Sequence, residues 1–108
     1  KSKPLQDYCF KNNYQSAVFV TGYNPFSKIA TDKLNLLAHN KLKLMLNNMD
    51  IEFILCTASD LEKDWPDEVG VLALDITLQE GKVIGNIFKQ NAIVWIPDSW
   101  VPKIELLR

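Results

Sequence analysis

The sequence feature that most constrains the fold is a short apolar run, Ala17–Val20, that stops abruptly in an unusual loop. The run is rich in β-branched and aromatic side chains, which predicts a strand covered on both faces. Gly22 then permits a sharp turn or a close approach of the backbone to another group. We expect Asn24 to be extended, because the ring of Pro25 disfavours helical geometry in the residue before it. A buried strand should therefore lead into a restrained connection.

The loop at residues 23–27 admits two interpretations. In the first, which we favour, it only connects a strand to a helix, and Phe26 folds back as a plug over the core. In the second, the loop faces a ligand, and Asn24 and Ser27 supply polar contacts. Ser27 and Thr31 can each cap a helix that follows.

Apolar periodicity divides the remaining chain into helices and strands. Residues 31–48 carry apolar side chains at steps of three and four, which predicts a helix with one stripe facing the core. That stripe comprises Leu34, Leu37, Ala38, Leu42, Met45, Leu46 and Met49. We expect His39, beside the stripe, to be a surface or boundary residue. Residues 77–80 form a capping box, so a second helix should begin there and run to about residue 89.

Apolar runs at residues 15–21, 52–57, 68–76, 92–96 and 101–107 predict strands. Pro102 indicates that the last of them is an edge strand, returning as a hairpin along the strand before it. Gly81 and Gly85, inside the second helix, indicate close packing of that helix on the sheet.

This order of elements predicts an α+β fold, namely a ferredoxin-like split βαβ sandwich (βαββαβ) with an added C-terminal edge strand. Residues 1–108 then form a single domain, with residues 1–14 as an N-terminal extension packed on or near the core. The handedness of the crossovers places three loops on one rim of the sheet, at residues 22–27, 64–68 and 90–91.

These three loops carry the candidate ligand-binding residues, which are Asn24, Phe26, Ser27, Trp65, Glu68, Gln90 and Asn91. Two aromatic rings supply contact area, while amides and a carboxylate supply orientation, as in small-molecule sites. Amides beside a sheet edge can instead bracket backbone groups that would otherwise be unpaired. We favour the bracketing role for Asn91, and both roles stay open for Gln90.

Composition limits the classes of partner. The chain of 108 residues has a formal net charge of −1, which gives no electrostatic reason to expect nucleic acid or an anionic membrane surface. No stretch resembles a membrane helix or a signal peptide. We expect Cys9 and Cys56 to be reduced thiols of a cytoplasmic protein. With His39 as the only histidine and no Cys/His cluster, no metal or cofactor is expected. The chain begins with Lys1 and not with a methionine, so the sequence is compatible with a processed or trimmed piece that lacks its flanking residues.

Two stretches, residues 20–27 and 89–95, resemble the signature stretches of a bacterial family of small proteins, domain of unknown function 3293. In that family the first stretch ends in Ala-Trp-Asn-Pro-Phe-Ser, and the second reads Gln-Asn-Ala followed by an apolar strand. Residues 65–68 are similar to a third stretch, Trp-Pro-Glu-Glu. Here Gly22-Tyr23 replaces Ala-Trp, and Val69-Gly70 stands where the family tends to have Ser-Phe. The resemblance implies membership of a family and no particular chemistry.

The function that we favour from sequence is a non-catalytic binding or regulatory module, holding an unknown small molecule or a protein at the rim. One alternative is a small enzyme that uses carboxylates of the 64–68 loop, with Ser27 or Cys56 as the nucleophile. Another is a protein-interaction domain that forms a homodimer by pairing through an edge strand. A base hydrogen-bonded to either nucleophile would favour the enzyme.

Overall fold

The structure, a computed structural model, describes residues 14–59 and 65–107. Within this part of the chain the strands are β1 (Ala17–Val20), β2 (Phe53–Ala58), β3 (Glu68–Leu74), β4 (Ala92–Ile96) and β5 (Lys103–Leu106). The helices are α1 (Asp32–Asn48), which follows β1, and α2 (Leu78–Ile87), which follows β3; a short 3-10 turn, Pro25–Ser27, precedes α1. The predictions for the N-terminal extension and for Cys9, and the part of the 64–68 carboxylate prediction that concerns residue 64, lie outside the described residues.

The strands form one antiparallel sheet in the order β2-β3-β1-β4-β5. β1 lies at its centre, with Val18 opposite Ala73 on one neighbour and opposite Trp95 on the other. β4 and β5 pair as an antiparallel hairpin in which Val94 lies opposite Ile104, so the predicted C-terminal hairpin is confirmed. The fold is therefore α+β, with β2 at one edge of the sheet and β5 at the other.

Both helices pack on one face of this sheet. The core on that face consists of Val18, Val20, Leu42, Leu46, Val71, Ala73, Ile76, Ile84 and Ile93. A smaller cluster on the opposite face consists of Ala17, Leu74, Ile96 and Trp100. Because successive side chains of a strand point to opposite faces, β1 contributes to both clusters. Its predicted burial on both faces is confirmed.

The buried stripe of α1 is rotated from the predicted one. The buried residues are Asn35, His39, Leu42 and Leu46. Leu34 and Leu37, expected in the core, are 58% and 49% exposed. The expectation that His39 is a surface or boundary residue is wrong, since it is buried and only 5% exposed. The rotation has a tertiary cause: Asn35 finds a buried hydrogen-bond partner in Asn24, and the ring of His39 packs against that of Tyr23.

The start of α2 is the predicted capping box. The side chain of Thr77 accepts the backbone N–H of Glu80 at 3.0 Å, and the Glu80 carboxylate accepts the backbone N–H of Thr77 at 2.8 Å. The helix also lies very close to the sheet. A Cβ added at Gly85 would fall 2.8 Å from Cγ2 of Ile93 and 2.6 Å from Cδ1 of Leu107. The glycine thus permits the close packing that the sequence predicted.

Candidate functional site

The three loops that the sequence places on one rim are joined by direct hydrogen bonds. The side-chain amide of Asn24 donates to Oε2 of Glu68 at 2.8 Å. That of Gln90 donates to the carbonyl of Tyr23 at 3.1 Å. That of Asn91 donates to Oγ of Ser27 at 2.9 Å. We call the described residues 22–27, 65–68 and 88–91 the rim; these contacts link all three of its segments.

Asn24 is the centre of the rim, although it faces inward. Its side-chain oxygen accepts the backbone N–H of Ala30 at 2.9 Å and the amide of Asn35 at 3.1 Å, while its own backbone N–H donates to Oδ1 of Asn35 at 2.9 Å. With the bond to Glu68, every polar group of the side chain is engaged, and the residue is 4% exposed. Asn24 therefore has a structural role, since its hydrogen bonds join the loop after β1 to α1 and to β3.

Asn35 was missed by sequence reasoning. It is a buried amide on a helix whose predicted core-facing stripe contains apolar residues alone. The signal was present, because Asn35, His39, Leu42 and Leu46 follow one another at steps of four, three and four, the spacing of a single helix face. Polar residues at two of these positions hid the stripe.

The loop after β1 has a left-handed backbone at three non-glycine residues. Asn24, Phe26 and Ser27 have φ values of 48°, 56° and 59°. The expectation that Asn24 is extended before Pro25 is thus wrong. Asparagine is one of the few residues that tolerate this conformation, and the hydrogen bonds of Asn24 hold it there. Phe26 and Ser27, which lack the tolerance of asparagine, each store conformational strain of roughly 1–2 kcal/mol.

Phe26 lies on the outside of the loop. Its side chain is 44% exposed, so the interpretation of Phe26 as a plug over the core is wrong. The cause is the turn itself: the backbone N–H of Phe26 donates to the carbonyl of Lys89 at 2.7 Å. This bond fixes the left-handed turn against the third rim segment and leaves the ring facing outward.

Glu68 joins the second rim segment to the first. Its Oε2 accepts the indole N–H of Trp65 at 2.9 Å in addition to the amide of Asn24. Hydrogen bonds to a carboxylate are stronger than bonds between neutral groups. Asp67, the other described carboxylate of this loop, is exposed. The carboxylate of Glu68 is therefore held by two side-chain donors, not by backbone amides.

The amides of Gln90 and Asn91 have different partners. Gln90 is 8% exposed and donates to the backbone carbonyls of Tyr23 and Phe88, at 3.1 and 3.2 Å. It therefore brackets backbone groups. The side chain of Asn91, the residue expected to bracket backbone groups, instead donates to the hydroxyl of Ser27.

The candidate nucleophiles have no activating base among the described residues. The hydrogen bond at Ser27 comes from the amide of Asn91, which is not a base. Burial raises the pKa of the Cys56 thiol, which keeps it protonated and weakly nucleophilic. Within the described residues, no group of three His, Cys, Asp or Glu side chains is placed to hold a metal ion. Neither described helix is both long enough and apolar enough to cross a bilayer.

His39 lies beneath the rim. Its ring makes an edge-to-face contact with Tyr23, with centroids 6.3 Å apart and planes at 88°. Nδ1 of His39 is buried and lacks a hydrogen-bond partner within the part of the chain described. Burial, and secondarily the nearby charge of Lys43, lowers the pKa of His39. The imidazole is therefore held in its neutral form.

A groove of about 510 Å³ lies between α1 and the end of α2, next to the rim. Its described lining residues are Gly22, Pro25, Leu34, Leu37, Ala38, Lys41, Met45, Ile87, Phe88 and Lys89. Gly22 closes it against α1, since a Cβ added there would lie 3.0 Å from Cβ of Ala38. The predicted close approach at Gly22 is confirmed. Gly22, Pro25, Phe88 and Lys89 belong to both the rim and this interhelical groove.

Comparison with known proteins gives a family and no relatives of assigned activity. No curated protein and no solved structure matches the chain significantly. A family model described as "Protein of unknown function (DUF3293)" matches residues 20–93. That match begins in β1, ends in β4 and spans all three rim segments. Because it covers well over half of the sequence, the chain belongs to the DUF3293 family of proteins of unknown function.

Proposed function

We propose that this domain is a non-catalytic binding or regulatory module whose site is the rim. The observation that carries the proposal is the set of three left-handed non-glycine residues, Asn24, Phe26 and Ser27, within four positions of one loop. Strained backbone persists only where surrounding contacts over-determine it, and it is concentrated at binding sites. Here those contacts are the hydrogen bonds that the Glu68 carboxylate accepts from Asn24 and the Lys89 carbonyl accepts from Phe26.

The rim residues divide into two groups by the direction they face. Asn24 and Gln90 are buried and set the shape of the loop. Phe26 and Ser27 are exposed, and Asn91 beside them is half-buried. In the proposal, the inward amides preorganise the outward side chains, so that little ordering entropy is lost on binding. The ligand is a small molecule or a protein segment that places an apolar group against Phe26.

The proposal includes a ferredoxin-like topology and a cytoplasmic location. The sheet order β2-β3-β1-β4 supports the topology, because α1 and α2 each connect two strands that have a third strand between them. β5 is then the added edge strand. The free thiol of Cys56 supports a reducing compartment.

Amide NMR spectra tested with small probes provide the experiment. Indole, phenol, benzoate, isopropanol and acetamide are added in turn to the ¹⁵N-labelled protein. We expect the aromatic probes to shift amide signals of residues 22–27 and 88–91. Phe26→Asn removes the ring with a residue that accepts positive φ, and it should abolish these shifts. Ile104→Thr, which changes a residue 72% exposed on β5, is the matched control and should keep them.

Two outcomes count against the rim as a binding site. One is a set of shifts centred away from residues 22–27 and 88–91. The other is an unchanged response in Phe26→Asn, with the spectrum showing that the variant is folded.

A homodimer is a second candidate, favoured by the edge strand β2. The sequence of β2 contains no charged residue, and most of its side chains are exposed. β5, at the other edge, carries Lys103 and Glu105, which protect an edge from pairing. Light scattering after gel filtration should show a dimer that Leu55→Lys converts to a monomer, whereas Ile104→Lys should not. A wild-type monomer at all concentrations would exclude this arrangement.

A further inference from the structure

The interhelical groove has the size and lining of a small-molecule site. Its volume of about 510 Å³ falls within the range of such sites, roughly 300–1,000 Å³. Leu34, Leu37 and Ile87 line it and are 58%, 49% and 52% exposed. Single exposed apolar side chains are ordinary, but three on one concave surface form an apolar patch of the kind that binds a partner. The lining is therefore suited to an aliphatic group.

The charged side chains that line the groove in the described part of the chain are all positive. Lys41, on α1, and Lys89, just after α2, are the charged members of its described lining, which contains no carboxylate. Lysine side chains lay their aliphatic stems along apolar surface and keep the ammonium group at its edge. An apolar groove with a cationic edge complements a molecule that has an aliphatic chain and an anionic head.

Lys89 is fixed in place by the rim. Its backbone has φ of 59°, its N–H donates to the carbonyl of Asn86 at 3.1 Å, and its carbonyl accepts the N–H of Phe26 at 2.7 Å. The position of its Cα is thus set before a ligand arrives, which reduces the entropy lost on binding. Met45, also in the lining, has an unbranched and adaptable side chain that can follow the shape of a chain laid against it.

We propose that the interhelical groove binds an amphipathic anion, a single aliphatic chain that ends in a carboxylate. The chain lies against Leu34, Leu37 and Ile87, and the carboxylate is paired with Lys41 and Lys89. This proposal goes beyond the proposed function, because the aliphatic chain lies in the groove beside the rim and not against Phe26. It relies on the rim only for the position of Lys89.

Calorimetric titration with dodecanoate, kept below its micelle concentration, tests the proposal. Dodecyltrimethylammonium is the matched probe, with the same tail and the opposite charge. We expect dodecanoate to bind and the cationic probe to bind at least tenfold more weakly. That contrast is reduced by salt, since exposed charges are screened.

Variants of the groove test separately how the carboxylate head and the aliphatic tail of the ligand are bound. Lys41→Glu and Lys89→Asn should each weaken dodecanoate binding by roughly two- to fivefold, in the range of exposed charge pairs. Asparagine at position 89 accepts the positive φ, so the backbone is preserved. Leu37→Asp places a carboxylate among the apolar side chains and should abolish binding. Lys103→Glu, on β5, makes the same charge change as Lys41→Glu away from the groove and should bind as the wild type does.

Several results would overturn the proposal. Equal affinity for the two probes would overturn the anionic head, and unchanged affinity in both Lys41→Glu and Lys89→Asn would do the same. Absence of dodecanoate binding, while aromatic probes still shift the rim amides, would overturn the ligand class and leave the binding module intact. Absence of both responses would remove the proposed function itself.

Discussion

Replacement of Asn24 by alanine should destabilise the domain more than an ordinary loop substitution. The side chain is buried and holds three partners, namely the backbone N–H of Ala30, the amide of Asn35 and the carboxylate of Glu68. Alanine satisfies none of them. It also lacks the tolerance of asparagine for a φ of 48°.

The expected magnitude follows from these contacts. A buried group left without its hydrogen-bond partner costs about 1–3 kcal/mol. Ala30 and Glu68 are only half-buried, so water can reach them and the lower value applies, giving about 3 kcal/mol for the three groups. The left-handed backbone adds about 1 kcal/mol for alanine. The total, about 4 kcal/mol, is a large part of the stability of a domain of this size, roughly 5–15 kcal/mol.

Urea unfolding followed by circular dichroism gives the measurement, with Asn24→Gly as the matched variant. Glycine loses the same hydrogen bonds but adopts positive φ freely. It should therefore lose about 3 kcal/mol, about 1 kcal/mol less than alanine. A loss below about 1.5 kcal/mol in Asn24→Ala would refute the bracketing role. A glycine variant no more stable than the alanine variant would refute the argument from backbone strain.

Three further outcomes are expected. Gly85→Ala should lower the free energy of unfolding in urea by about 1–2 kcal/mol, because the new Cβ would meet Cγ2 of buried Ile93 at 2.8 Å. Alanine favours helices more than glycine does, so a gain in stability would contradict the close packing. Thr77→Ala should cost about 1 kcal/mol, or roughly 4–8 °C in melting temperature, by loss of the cap, and an unchanged melting temperature would show that the cap contributes nothing. The lowered pKa of His39 means that below 6.5 the unfolded chain binds a proton that the folded chain does not. Stability should therefore be full above that pH and fall as the pH is lowered through it; His39→Gln should flatten this dependence, and an equal slope in the variant would exclude His39 as the cause.

The elements that the sequence predicts well are those decided by nearby residues. The capping box of Thr77 and Glu80 joins positions three apart, and β4 has the predicted bounds because its apolar run is closed by a proline turn. The convergence of the three rim loops was also predictable, since it follows from the order of strands and helices. Local chemistry and chain direction were sufficient in these cases.

The incorrect predictions concern residues whose backbone conformation or burial is determined by partners far away in the sequence. Asn24 adopts a left-handed backbone because Asn35 and Glu68, 11 and 44 positions away, bind it. The same partnership turns the polar side of α1 inward, which buries His39 and leaves Leu37 in the groove. A pattern that counts apolar residues alone cannot detect such a helix face. The outward position of Phe26 has the same origin in its bond to Lys89.

The central position of β1 has a consequence for the order in which the domain is assembled on the ribosome. Phe19 pairs with Leu72 on β3 and with Val94 on β4, so β1, the first of the described strands to be synthesised, gains its second neighbour only when β4 has been made. The side chain of its neighbour Val18 is wholly buried in the finished domain. It therefore remains uncovered while most of the chain is synthesised. During that interval the nascent polypeptide displays an uncovered apolar segment, the kind of segment that chaperones bind. Truncations that end before β4 should accordingly aggregate instead of folding.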